Sequence, residues 1–326
     1  MRVDNEGYPS KKISGISSKK LSPNDFTTCK AVLNKVYFDN STLNNLWEEE
    51  EPIKSLLIEC FLSHYYLRLS TINLAEIAAT PDEEKRNEIF RLAIRLSQGR
   101  APLGDPIEFL KEVLDTYKFT AHLIHPPQPT AVFMLNDIPI WLKFLKSTAL
   151  FDESYRLPAK QEVSDGHNWD KNISLIRSHI QAVVQKLSVK DRKSILRSER
   201  SFIKGFMKER TFFFHLIEYF IKAEPHRSHL IGREMEILRG LDVWAVLTCS
   251  FSLMMYHLHY KQEGHSLKKN AGSSDILQAV YLSEIDVFVT GDKGQRRLFR
   301  IAKLFASRKT EVVSYMEFRR RLLVSV

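Results

Sequence analysis

Cysteine is scarce. Cys29, Cys60 and Cys249 stand far apart and in odd number among 326 residues, so no disulfide framework and no thiol pair at metal-knuckle spacing is written. Reduced, mostly buried thiols of a cytoplasmic protein are the expectation. Long apolar runs are also missing. The best candidate, Val243–Tyr256, has 14 residues between Asp242 and His257, too short to span a bilayer, and reads as a buried core helix. Residues 1–23 are rich in Ser and Lys without an apolar stretch, which speaks against a secretory leader. No phosphate-binding loop, dinucleotide fingerprint or Gly-x-Ser-x-Gly elbow occurs. His257, His259 and His265 lack a Cys or His partner at zinc spacing.

What remains is ordinary globular material, with 44% hydrophobic and 27% charged residues. The length suits one large domain or a core with a sizeable insertion. Forty-eight Lys and Arg against 39 Asp and Glu give a net charge of +9, which favours an acidic partner such as nucleic acid. With no spanning segment, a membrane is not expected among the partners.

Residues 1–25 have the composition of a flexible tail. Ala31–Asp39 is a short β-prone run ending on an acid, and Leu43–Leu62 has helical spacing interrupted near Pro52. Tyr65–Ile72 is a second β-like run, feeding a helix over 73–79; Pro81-Asp-Glu-Glu opens another. From about 106 to 230 the spacing is nearly all helical, and a long helix follows over about 231–260. The chain then returns to alternation: a helix over 275–282, a strand over 287–290, a helix over 298–305, a strand over 311–314 and a basic closing helix. Such alternation argues for an α/β fold with a parallel sheet between helices. The expected organisation is a core in two parts, 26–105 and 231–326, around a helical insertion at 106–230.

Acids stand where a parallel sheet gathers its ligands, at the carboxyl ends of strands. Asp39 ends the first strand, Asp292 follows the strand 287–290, Glu76 lies one helical turn beyond the second strand, and Asp275 opens the helix leading to Asp292. Crowded carboxylates repel one another unless cations neutralise them or some take up protons. Hard oxygens suit Mg2+ or Mn2+. Each acid also has a plainer role: Asp39 and Asp275 as helix caps, Glu76 as a solvated helix residue, Gly291-Asp-Lys-Gly294 as a turn.

Three segments carry a resemblance. Lys35-Val-Tyr-Phe-Asp-Asn-Ser-Thr-Leu43 resembles the opening strand and first acid of PIN domain nucleases; Leu69-Ser-Thr-Ile-Asn-Leu-Ala-Glu76 is similar to their second strand and Glu-bearing helix. The fullest match is Ser274-Asp275 through Val287-Phe-Val-Thr-Gly-Asp292, similar to the third acid, an apolar helix, and a strand ending in Thr-x-Asp. Glu311–Phe318 looks like the last strand and closing helix. The likeness covers about 100 to 150 residues at the two ends. Asn40 stands where Thr or Ser is usual, and the span from Glu76 to Asp275 exceeds that of minimal PIN domains. The resemblance implies a PIN-like fold and a metal-dependent nuclease, with Asp39, Glu76, Asp275 and Asp292 holding Mg2+ or Mn2+ to activate water. It implies Thr290 as the hydroxyl that steadies the site, with Ser41 or Thr42 as a second polar contact. RNA is then favoured over DNA as substrate, toxin-like RNA cleavage is included, and a protein inhibitor is a conceivable partner. The alternative is a catalytically silent PIN-like scaffold that binds nucleic acid or protein.

Cations offer phosphate contacts in two places. Arg296, Arg297 and Arg300 follow Asp292, and the run 186–210 holds nine Lys and Arg against three acids. In that run, positions including Lys193 and Arg197 fall on one face if the helix is continuous. A solvated helix face is the plainer reading. Phe212–Phe214, Tyr219 and Phe220 read as packing of the insertion rather than as base-stacking groups.

Overall fold

Four short apolar runs pair into one all-parallel sheet. The computed structural model describes residues 33–100, 102–104, 106, 110, 182, 184–208, 241–259, 276–307 and 309–324. The expected tail 1–25, Asp275, His265, the Phe212–Phe220 aromatics, most of the 106–230 insertion and the side chains of His257 and His259 lie outside them. Contacts separate residues 1–32 from 33–326, and every described residue belongs to the second unit. Strands β1 (Asn34–Phe38), β2 (Tyr65–Leu67), β3 (Val287–Val289) and β4 (Glu311–Val313) lie in the order β2-β1-β3-β4. Val36 aligns with both Leu67 and Val287, and Val289 aligns with both Phe38 and Val313. Strands from both ends of the chain therefore make a single α/β sheet.

The strand residues are apolar on both faces because both faces are covered. Val36, Phe38, Val287, Val289 and Val313 point into one core. That core is filled by α1 (Asn40–Trp47), α2 (Ile53–His64), α3 (Thr71–Ala78), α4 (Glu83–Ser97) and α9 (Tyr315–Val324). Tyr37, Phe288 and Val312 point into the other core. There they meet α7 (Asp242–His259), a 3-10 helix at Gln278–Ser283, and α8 (Lys293–Ala302). Tyr37 and Phe288 stack across the β1–β3 pair at 5.0 Å, and Phe299 meets Phe288 edge-on at 4.9 Å. Aromatic pairs of this kind add about 0.5–1.5 kcal/mol beyond area burial. Among the described residues no helix is long and apolar enough to cross a membrane. The 243–256 run lies within α7, where Trp244, Leu247, Cys249 and Phe251 are fully buried.

Caps explain where several elements begin. Strand β2 stops at Leu67, short of Ile72, because Ser70 and Asn73 form a reciprocal capping box that opens α3. Helix α8 begins at Lys293 rather than near Leu298, because Asp292 accepts from the Gln295 N–H. The basic run does not form one helix. It divides into α5 (Val189–Leu196) and α6 (Glu199–Lys208), with the Ser198 hydroxyl accepting from Ser201 N at 3.2 Å. The cationic stripe expected on one face is therefore split, although Lys193 and Arg197 are both exposed.

Helix α9 carries its own capping box. Ser314 Oγ accepts from Glu317 N at 3.1 Å, and Glu317 Oε2 accepts from Ser314 N at 2.7 Å. That backbone N–H, with the Ser314 hydroxyl and Arg300 behind it, holds the Glu317 carboxyl down at about 2 against a penalty from burial. A carboxyl depressed below its unfolded value of about 4.3 stabilises the fold above that value and loses the contribution as pH falls toward its folded value. The start of α9 is expected to hold at about pH 5 and to loosen as pH falls from about 4 to 2. Carboxyl NMR would follow it, and a Glu317 midpoint near 4.3 would contradict the reciprocal cap.

Candidate functional site

All four strands run parallel, and the order in which the chain adds them switches sides between β1 and β3. From β1 the chain proceeds to β2 on one side, and from β3 it proceeds to β4 on the other. Loops leaving such neighbours diverge, and ligands of open parallel sheets bind in the crevice between them. Asp39 follows β1 at this point, while Thr290, Gly291 and Asp292 follow β3.

Asp39 is buried and has three donors around it. Its Oδ1 accepts from Thr42 N at 2.8 Å, which caps α1. Its Oδ2 accepts from Ser41 Oγ and from Thr290 Oγ1, each at 2.7 Å. The fully buried Thr290 hydroxyl also accepts from Asp292 N at 3.0 Å, and Ser41 Oγ accepts from Gly291 N at 3.0 Å. One carboxylate thus ties the two central strand ends together and fixes the backbone that carries Asp292. Ser41 contributes its hydroxyl near Asp39, and Thr42 its backbone N–H. The Thr42 hydroxyl instead donates to Val289 O at 3.1 Å. On the other side, Asp292 Oδ1 accepts from Gln295 N at 2.7 Å, and Gln295 Nε2 donates to Gln278 Oε1 at 3.1 Å in the core. Asp292 is both a cap and a carboxylate held at the crevice.

Gly291 is required here by close approach. A Cβ at this position would stand 2.5 Å from Ser41 Oγ and 3.3 Å from Ser41 Cβ. Gly291→Ala is expected to push the Ser41 hydroxyl off both Asp39 and the 291 N–H. Two hydrogen bonds would loosen at a cost of about 1–3 kcal/mol, readable as a lowered urea midpoint. Unchanged stability would show that Ser41 does not bridge the strand ends.

Glu76 sits half-buried on α3. Asn73 anchors that helix to the first strand through Nδ2, which donates to Phe38 O at 2.9 Å. Among the described residues no three His, Cys, Asp or Glu side chains come together as a cation-holding group. Asp275, the fourth acid of the expected set, lies outside the described residues. The donors present still fit a hard divalent cation. Asp39 is held only by neutral donors, and neither it nor Asp292 has an ion-pair partner among the described residues. Beside Asp39, the side-chain oxygen of Asn40 is buried without a donor. Carboxylates without a cationic partner and an unbonded amide oxygen, gathered where the strands end, suit Mg2+ or Mn2+.

Of the three arginines after Asp292, two are engaged elsewhere. Arg297 pairs with Glu199 at 2.5 Å. Arg300 pairs with Glu317 at 3.0 Å and donates to Val312 O at 2.9 Å. Arg296 instead lines a cleft of about 720 Å3 that starts at Gly291 and runs between α1–α2 and α8–α9. Composition and spacing did not disclose this cleft. Its far wall is set by Glu49, which accepts from Arg319 at 2.7 and 3.2 Å and from Tyr315 Oη at 2.9 Å, contacts spanning about 270 residues. Burial, followed by the neighbouring Glu49 carboxylate, pushes the Tyr315 hydroxyl well above its ordinary value.

The chain matches no family model, no curated protein and no solved structure.

Proposed function

We propose that this chain is a PIN-like, metal-dependent nuclease that hydrolyses phosphodiester bonds, with RNA favoured over DNA. The observation carrying the proposal is the Asp39–Thr290–Asp292 arrangement. Two acids end adjacent central strands at the switch point, and one buried hydroxyl accepts a backbone N–H from the second while donating to the first. Asp39 and Asp292 would hold the cation, joined by Glu76 and Asp275 in the reading that the resemblance implies. Bound there, Mg2+ or Mn2+ would supply a Lewis acid that activates water and stabilises charge on the leaving oxygen. The chain's own contribution is positioning. Thr290 and Ser41 orient the Asp39 carboxylate from behind, and the α8 cap fixes Asp292. The all-parallel α/β sheet and the surplus of 48 basic over 39 acidic residues support the same reading.

The test is cleavage of labelled single-stranded RNA and DNA by the full chain with Mg2+, Mn2+ or EDTA. Cleavage is expected with either ion, faster on RNA, and is expected to stop with EDTA. Cleavage that persists in EDTA, or none with metal present, would overturn the proposal. A silent scaffold that binds nucleic acid or protein is the second reading. It is favoured by one observation: both oxygens of the buried Asp39 carboxylate already accept hydrogen bonds from within the chain.

A further inference from the structure

We infer that the cleft beside Asp292 is a nucleotide subsite for single-stranded nucleic acid, selecting a base that carries an exocyclic amino group. The inference rests on the nuclease reading for its place next to the scissile phosphate, but its own evidence is the lining of the cleft. About 720 Å3 is within the ~300–1,000 Å3 of sites that hold a small organic ligand. That suits a nucleotide unit rather than a duplex.

The lining separates by chemistry. Lys293 and Arg296, on the first turns of α8, have no ion-pair partner among the described residues. They stand directly after Asp292, where a phosphate next to the reacting one would lie, and cations of this kind hold backbone phosphates. Two apolar side chains, Ile53 and Met316, are 37% and 60% exposed and face the same space. Exposed aliphatic groups in a cleft with free cations offer apolar contact to a base plane beside a phosphate. The acids distinguish the base edge. Glu48 is tied to Lys85 and Glu49 to Arg319, which leaves Glu50 without an ion pair among the described residues, near Asn45. A free carboxylate repels phosphate but accepts from an amino group, as on cytosine N4. Uracil and thymine carry a carbonyl oxygen at that position, which a carboxylate repels, and keep only the ring N3–H as a donor.

The test is fluorescence anisotropy of short labelled oligonucleotides with the full chain, metal chelated so that nothing is cut. RNA and DNA forms of oligo-C, oligo-U and a duplex are compared. Wild type is expected to bind oligo-C more tightly than oligo-U, and both more tightly than duplex. Lys293→Gln combined with Arg296→Gln is expected to weaken binding about tenfold and to flatten the salt dependence by about one to two charges. Met316→Ala is expected to weaken it about two- to fivefold, through the apolar area it no longer lays against the base. Glu50→Gln is expected to erase the preference for C over U while binding persists.

Wild-type affinity and salt slope in the double variant would overturn the inference. So would duplex binding equal to single-strand binding, or no measurable binding by folded wild type. Cleavage by wild type alongside unaltered binding in the double variant would leave the nuclease reading standing and this inference fallen. Cleft-dependent binding with no cleavage in Mg2+ or Mn2+ would do the reverse.

Discussion

Asp292→Asn is expected to lower metal-dependent cleavage by at least about 100-fold while the chain stays folded. Loss of a residue that merely orients a metal ligand costs about 10- to 100-fold, so loss of a ligand itself should meet or exceed that range. The fold should persist because Asn is as good a helix cap as Asp. The Gln295 N–H at 2.7 Å still finds a side-chain oxygen, and the 292 backbone N–H still donates to Thr290. Cleavage rate and urea midpoint, measured together, separate chemistry from folding. Cleavage within about threefold of wild type, with a normal midpoint, would remove Asp292 from the site.

The second large effect concerns Asp39, where two substitutions should part company. Asp39→Ala removes the α1 cap, about 0.5–2 kcal/mol. It also strips the buried Thr290 hydroxyl and the Ser41 hydroxyl of their acceptor, with a further cost of about 1–3 kcal/mol. Asp39→Asn keeps an oxygen for the cap and removes a buried charge that has no cationic partner among the described residues. The Ser41 and Thr290 hydroxyls can accept where they had donated. Stability of the Asn variant is expected within about 1 kcal/mol of wild type, while cleavage falls by at least about 100-fold. Thermal and urea melts beside cleavage rates decide it. Equal destabilisation by both substitutions, with cleavage retained in Asp39→Asn, would make Asp39 a structural cap only.

The strands at the heart of the sheet were legible because both faces are buried: Val36-Tyr-Phe and Val287-Phe-Val read as unbroken apolar runs. Their assignment to both ends of the chain followed from the β and α alternation. Boundaries were harder, since they depend on caps that also look like something else. Asp292 drew attention as a ligand, yet it also starts α8 five residues before the apolar spacing does. Ser198 broke a helix whose charge spacing had suggested a single face. Asp286, outside the acid set, proved structural in that its Oδ2 accepts from Lys35 N at 2.8 Å. The Thr290 hydroxyl was implied only by the PIN resemblance, and it does donate to Asp39. The cleft could not be foreseen. Its wall depends on Glu49 meeting Arg319 and Tyr315, and no local pattern encodes a pairing over that separation.

Mn2+ titration of wild type, Asp39→Asn and Asp292→Asn, followed by loss of the free-ion EPR signal, tests the central claim most directly. The account predicts about one or two ions bound by wild type, and binding weakened at least about tenfold in each variant. Equal binding by all three chains, or none by folded wild type, would contradict it.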